Sequence, residues 1–281
     1  MSAWSGDTIS GTTASDTNKK NNGTIFGGVT TVPGKVINAF KFDGSTGYVS
    51  MGNSSNLNFG TGPFSLVAWF KWDGGGSSVN NIIRKSNYGG GPGSGYWVRI
   101  GKDNKTIEFS VGATTQPQGQ TLITAPISSG EWHHVVATRD NSDVVKLYVD
   151  GQSTGTFLRQ ASKANSTSES PFTLGAWEDQ HSEFFSGLID EVSVFNIALS
   201  ASQVQDFFNA GNTDSCPSSS LSPVPSIPLP YPSPNQSQYP QSSGTIPQEY
   251  CSSFAAVPKC EYVGPPDSQN YKYCKQCFPD K

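Results

Sequence analysis

Charge is scarce in this chain: Asp, Glu, Lys and Arg make up 14% of 281 residues, against roughly 25% in an average soluble domain. No Lys/Arg cluster occurs, and the formal net charge is −4. The electrostatic footprint that phosphate-backbone binding requires is therefore missing, which excludes nucleic acid as a partner. No apolar run reaches the roughly 20 residues that span a bilayer, which excludes helical membrane insertion. The start, Met1-Ser2-Ala3-Trp4, lacks the charged and apolar regions of a signal peptide, so export as a mature fragment or in a virus particle is the expectation. Cysteine is absent from residues 1–215. All five, Cys216, Cys251, Cys260, Cys274 and Cys277, lie in the last quarter. Nucleophile-elbow, P-loop and Gly-rich dinucleotide motifs are also missing.

What is present is turn-forming and β-rich. Gly, Ser, Thr and Asn are abundant, which suits short strands joined by tight turns. FSLVAWFKW at 64–72 is apolar on both alternating faces, as in a strand covered on both sides. Further β-rich runs fall at 39–42, 48–51, 81–84, 96–100, 106–111, 132–138, 144–149, 172–176 and 188–195, a spacing that predicts a sandwich or barrel. Asp150-Gly151 marks a two-residue hairpin, because a type I′ turn needs positive φ at both central positions. In SASQVQDFFNAG, Ser200 and Gln203 form a capping-box pattern, and Val204, Phe207 and Phe208 share a face. Gly211 sits where a left-handed residue would end this single helix.

Past residue 211 the text becomes Pro- and Ser-rich and loses apolar periodicity. The expected organisation is an all-β two-sheet sandwich over 1–211, an extended linker over 212–249 and a small Cys-rich segment over 250–281. So short a segment needs covalent bridges or a metal. Cys251, Cys260, Cys274 and Cys277 could form two disulfides or a zinc tetrathiolate, with Cys216 left over or pairing between chains; an exposed, oxidising location favours disulfides.

KVINAFKFDGSTGYVSMGNSSNLNFGTGPFSLVAWFK, EWHHVVATRDNSDVVKLYVDGQSTGT and SGLIDEVSVFNIALSASQVQDFF resemble the laminin-G-like modules of the concanavalin A-like lectin/glucanase superfamily. The resemblance spans residues 7–211 and rests on FDG at 42–44, WHHV at 132–135, LYVDG at 147–151 and GLIDEVSVFNIALS at 187–200. It implies an antiparallel two-sheet jelly roll, often with one structural calcium, in a family that binds sugars, glycoproteins or other proteins. The expected location is extracellular or at the cell surface, with a virion surface as the alternative.

Each candidate site has a plainer alternative. In the family the strands carrying Asp43 and Asp190 are neighbours. Oxygens from these two, completed by carbonyls near Thr46 or Gly47 and by water, would suit Ca²⁺; alternatively Asp43 makes a turn and Asp190 accepts backbone amides. His133 and His134 point to opposite faces of a strand and cannot share a ligand set, with Trp132 as a core anchor. The family includes glycosidases, but no two acidic residues in the chain are separated by two positions. The one-strand carboxylate pair of such enzymes is therefore absent, and no catalytic residue is assigned. Sugar recognition is expected in loops: Tyr88 and Tyr96 in the Gly-rich stretch 87–97, and Trp177, Glu178, Asp179, His181 and Glu183 in 176–185. The alternative for the second loop is a solvated hairpin with Trp177 packed inward. The expected role is recognition of a glycan or glycoprotein. The second reading is a structural protein of a virion or cell envelope that binds neighbouring protein subunits.

Overall fold

A computed structural model describes residues 1–7, 9–86, 95–112, 121–158, 165–177 and 182–212, without the side chains of 121, 122 and 158. In chain order the strands are β1 (Ser2–Trp4), β2 (Ile9–Ser10), β3 (Thr13–Ala14), β4 (Gly23–Phe26), β5 (Thr30–Pro33), β6 (Asn38–Asp43), β7 (Tyr48–Ser50), β8 (Phe64–Gly76) and β9 (Asn80–Lys85). They continue as β10 (Tyr96–Ile100), β11 (Thr106–Val111), β12 (Thr121–Pro126), β13 (Trp132–Arg139), β14 (Val144–Val149), β15 (Gln152–Leu158), β16 (Thr173–Leu174) and β17 (Phe185–Phe195), before the helix α1 (Ala201–Asn212). All pairings given for these strands are antiparallel and form two sheets. The first runs β15-β14-β13-β8-β17-β6-β5, with β1 also on β17; the second runs β12-β11-β10-β9-β16-β7-β4-β3-β2. This is the expected jelly-roll sandwich.

Alternation explains the core. Phe40, Phe42, Leu66, Ala68, Phe70, Val135, Ala137 and Leu147 of the first sheet meet Val49, Ile83, Val98, Ile100, Ile107, Phe109 and Leu174 of the second in one buried cluster. The opposite face of β8 is apolar because α1 covers it: Val67, Val136, Tyr148 and Phe195 pack against Leu199, Val204 and Phe207. Fully burying Val204 stabilises this docking by roughly 1.5–3 kcal/mol. The capping box forms as the sequence predicts, with the Gln203 amide donating to Ser200 Oγ (3.3 Å) and the Ser200 amide donating to Gln203 Oε1 (2.9 Å). Gly211 does something else. It lies inside the helix, and a Cβ there would stand 2.3 Å from Trp69 Nε1, so its small size lets α1 close on Trp69. Asp150 and Gly151 have φ of 51° and 78°, the hairpin geometry expected between β14 and β15.

Two long cations serve as internal struts. Lys85 Nζ, fully buried, donates to Asn53 Oδ1 (2.8 Å) and to the carbonyls of Ser168 (3.0 Å) and Ser170 (2.7 Å). Arg139, also fully buried, donates to the carbonyls of Gly60 and Gly62. Trp132 is only half-buried, at the start of β13, and is not the expected core anchor.

Candidate functional site on the outward face of the second sheet

Because the inward positions of the second sheet are filled by the core, the alternate residues must face outward. The register aligns them in rows. Thr24, Ser50, Thr173, Arg84, Trp97 and Ser110 are consecutive cross-strand partners from β4 to β11. A neighbouring row pairs Phe26 with Tyr48 at one end, and Asn81, Arg99, Glu108 and Thr124 at the other. A bulge near Val98 sets Asn81 rather than Ile82 opposite Arg99, leaving Ile82 in the core.

Two similar units sit on this face. The Arg84 guanidinium lies 3.8 Å from the centre of the Trp177 ring, and its Nη1 is 2.9 Å from Glu183 Oε2. Asn81 Nδ2 donates to the same carboxylate oxygen at 2.8 Å. In the second unit the Arg99 guanidinium lies 3.9 Å from the Trp97 ring, and its Nε is 2.8 Å from Glu108 Oε2. Each cation is stacked and ion-paired at once, which fixes its rotamer and cancels its formal charge. Trp97, Arg84 and Trp177 are buried, whereas Arg99, Glu108 and Glu183 keep part of their side chains in solvent. Ser110 Oγ, next to Trp97 in the row, is buried with no hydrogen-bond partner. The face thus carries planar groups and fixed donors and acceptors, with no net charge from the two units.

The expected site residues divide. Trp177 and Glu183 belong to the first unit, with Trp177 packed over Arg84; an isolated antiparallel bridge joins Trp177 to Ser182. Tyr96 must be reassigned: it is completely buried at the start of β10, and its hydroxyl donates to the Leu57 carbonyl at 2.9 Å. Burial raises its phenol pKa well above the usual 10. Tyr88, Glu178, Asp179 and His181 lie outside the described residues, as do Cys216, Cys251, Cys260, Cys274 and Cys277. Sequence reasoning missed Asn81, Arg84, Trp97, Arg99 and Glu108. Their only signal was the outward position of an alternating strand.

Asp43 and Asp190 do not meet. Asp43 is opposite Ser186, so Asp190 lies four residues further along β17, ~13 Å away at strand rise. The oxygens of Asp43 are taken up by its own turn, with the amides of Ser45, Thr46 and Gly47 and the Thr46 hydroxyl all donating to it. Despite the partial burial that opposes it, those donors hold its pKa far below the usual carboxylate value. Asp190 is buried and accepts from the amides of Lys35, Val36 and Glu191. Burial, only partly offset by these bonds, pushes its pKa up to about 7. Asp43, Thr46, Gly47 and Asp190 therefore do not fit one Ca²⁺. Among the described residues no group of three or more His, Cys, Asp or Glu is arranged to hold a metal.

The two histidines diverge as expected. His133 Nδ1 is 2.8 Å from Asp150 Oδ2, and its Nε2 faces Ser128, 3.0 Å from Oγ and 3.2 Å from the carbonyl. The Asp150 hydrogen bond raises the His133 pKa against the effect of burial. With the Ser128 amide also 3.3 Å from Nε2, the imidazole ties the 128 loop to the 150 hairpin. The serine carbonyl beside Nε2 favours this clamp over a nucleophile–base pair. His134 points the other way, buried against Trp69 and Phe208, and burial lowers its pKa to about 3.

The architecture is that of an antiparallel β-sandwich whose second sheet carries stacked cations and paired charges. Comparison with known proteins places it more closely. The family model of the concanavalin A-like lectin/glucanases superfamily matches residues 43–205, more than half of the chain, and the chain belongs to that superfamily. Among curated proteins nothing matches. Of solved structures, domain 4 of AbnA, an extracellular GH43 arabinanase of Geobacillus stearothermophilus bound to arabinotriose, is similar over 73% of this chain and 96% of that one, with 19% identity and a TM-score of 0.53. A botulinum neurotoxin type C structure, concerned with interaction with two ganglioside molecules, is similar over 76% and 52%, with 16% identity and a TM-score of 0.58. The binding domain of botulinum neurotoxin DC in complex with rat synaptotagmin II aligns over 75% and 51%, with 16% identity and a TM-score of 0.56. This chain spans about half the length of those toxin chains. At such identities the likeness is one of fold.

Proposed function

We propose that residues 1–212 form a non-catalytic carbohydrate-recognition module whose ligand lies on the outward face of the second sheet. The observation that carries this is the pair of guanidinium-on-tryptophan units, each closed by a carboxylate, in adjoining rows. Sugars are bound by fixed planar groups against C–H surfaces and by a few rigid donors and acceptors to hydroxyls. Rotamers locked by stacking lose little entropy on binding. The arabinotriose-bound and ganglioside-interacting neighbours support the ligand class. Residues 212–249 would serve as an extended spacer that presents the module at a distance, and the Cys-rich 250–281 segment would be disulfide-held, consistent with work outside the cell.

The test is a glycan array with the full-length protein and its Arg99→Ala variant, with and without EDTA. Selective binding that EDTA leaves intact and Arg99→Ala weakens is expected. A blank array with cooperatively folding protein would overturn the reading and favour a structural role through protein neighbours.

A further inference from the structure

We infer that the stacked pair Phe26–Tyr48 is a second sugar contact on this face, and that the ligand is a neutral oligosaccharide of at least three rings lying across the strands. The inference rests on the reading of the face as a glycan surface and deepens it. Phe26 is 40% exposed, and among the described residues it is the only large exposed hydrophobic on the second sheet; the others lie elsewhere, at Ile37, Phe157 and Ile197. An exposed ring on a sheet face has lost the burial that normally keeps phenylalanine inside. Its partner ring is Tyr48 of β7, with centroids 4.8 Å apart and planes 14° from parallel.

The stack is held rigidly. Directly after Phe26, Gly27 adopts φ of 61°, and a Cβ there would fall 2.1 Å from the Thr46 carbonyl oxygen. The Gly28 amide donates to Thr46 Oγ1 at 2.9 Å, and that hydroxyl donates to Asp43. The turn after β4 is therefore seated on the Asp43 turn, which places the aromatic pair before any ligand arrives.

Charge selects the occupant. Asp43, the carboxylate on which the turn after β4 is seated, already accepts four hydrogen bonds within its own turn. At the far end Arg84 and Arg99 are matched by Glu183 and Glu108. Between them lie Thr24, which is exposed, and Ser50, Thr173 and Gly175, which are small and buried. Such a surface matches an uncharged ligand with C–H faces and hydroxyls, not an anion. From β4 to β10 there are four strand spacings, ~19 Å, more than one or two sugar rings can bridge.

The test uses the full-length protein and calorimetric titration with arabino-, xylo- and cello-oligosaccharides of one to six residues, together with sialyllactose. Affinity should rise with length to at least the trisaccharide for one neutral series, and sialyllactose should not bind better than its neutral core. Phe26→Ala should lower affinity for the longer members about three- to tenfold and leave the shortest unchanged. Phe26→Leu, which keeps apolar bulk but not the flat ring, should behave like Phe26→Ala, while Phe26→Tyr should restore binding; thermal melting checks that each folds. If Arg99→Ala weakens binding at every length while Phe26→Ala weakens it at none, the second contact is wrong and the glycan face stands. Binding confined to sialylated probes overturns the neutral class. No binding to any probe overturns both.

Discussion

The Arg84 unit makes a quantitative demand on stability. Arg84 and Glu183 approach to 2.9 Å with side-chain exposures of 8% and 21%. At an effective dielectric near 20 that separation is worth ~6 kcal/mol of gross attraction. Desolvating two ions consumes most of it, so the pairwise coupling should be about 2 kcal/mol. Arg84→Met also removes the guanidinium from Trp177, worth about 1 kcal/mol at a partly covered site, giving a total loss of about 3 kcal/mol. For a domain of this size each kcal/mol lowers Tm by roughly 2–4 °C, so the variant should melt about 6–12 °C below the parent. Urea unfolding of the parent, Arg84→Met, Glu183→Gln and the double variant closes a thermodynamic cycle. Single effects that simply add, within about 0.5 kcal/mol, would refute the view that the carboxylate holds the stacked cation in place.

Three further outcomes follow from the structure. His133 is raised above 6.5, so its contribution is complete below that pH and is lost as pH rises through its folded value; Asp150 is lowered below 3.8, so its contribution is complete above that pH and is lost as pH falls through its folded value. Asp150→Asn should therefore destabilise most between pH 4 and 6.5 and least above pH 9, as read by urea midpoints across that range. Glu191 has φ of 48°, and its pKa is pushed up to about 8 by burial and then by Asp190 and Asp7; its cost appears as pH climbs from 4.5 and is complete above 8. Glu191→Gln should raise stability at pH 9 by at least ~1 kcal/mol and change little at pH 4.5, and an equal effect at both pH values would sink the argument. Gly211→Val forces a side chain into the Trp69 ring, so α1 should lift from β8 with a loss of about 1–3 kcal/mol and a shift in tryptophan emission; parent-like emission would refute the close approach.

What the amino-acid sequence alone made legible was whatever local chemistry decides. The capping box of Ser200 and Gln203 and the Asp150-Gly151 turn each depend on residues within a few positions, and both formed. The two-faced apolarity of residues 64–72 was legible as double coverage, although its cover, α1, lies some 130 residues downstream. The strands β1 to β5 escaped notice because Gly, Ser, Thr and Asn carry little hydrophobic alternation, and their pairing is supplied by neighbours already in the sheet. Tyr96 was misread for a related reason. A glycine-rich run precedes it and suggests a loop, yet the tyrosine itself opens a strand whose inward parity buries it.

The recognition face and the failed calcium pair teach the same lesson about register. Asp43 and Asp190 do sit on hydrogen-bonded neighbours, as the resemblance implies, yet pairing Asp43 with Ser186 leaves the two carboxylates four residues apart. Adjacency of strands fixes which residues can meet; register fixes which do. Arg84 and Glu183, 99 positions apart, show the opposite result. The Trp177–Ser182 bridge and the Asn81 amide donating to the Glu183 carbonyl set Glu183 against β9, and the bulge at Val98 and Arg99 lets Asn81 reach the same carboxylate oxygen. Were that bulge removed, Ile82 would take the outward position opposite Arg99, and an apolar side chain would replace the amide between the two cationic units. A deletion of Ile82 that restores regular pairing should therefore keep Asn81 in the outward row and fold, whereas replacing Asn81 with Leu should leave the fold intact and weaken glycan binding at every chain length. Equal binding by Asn81→Leu and the parent would separate this face from the recognition event.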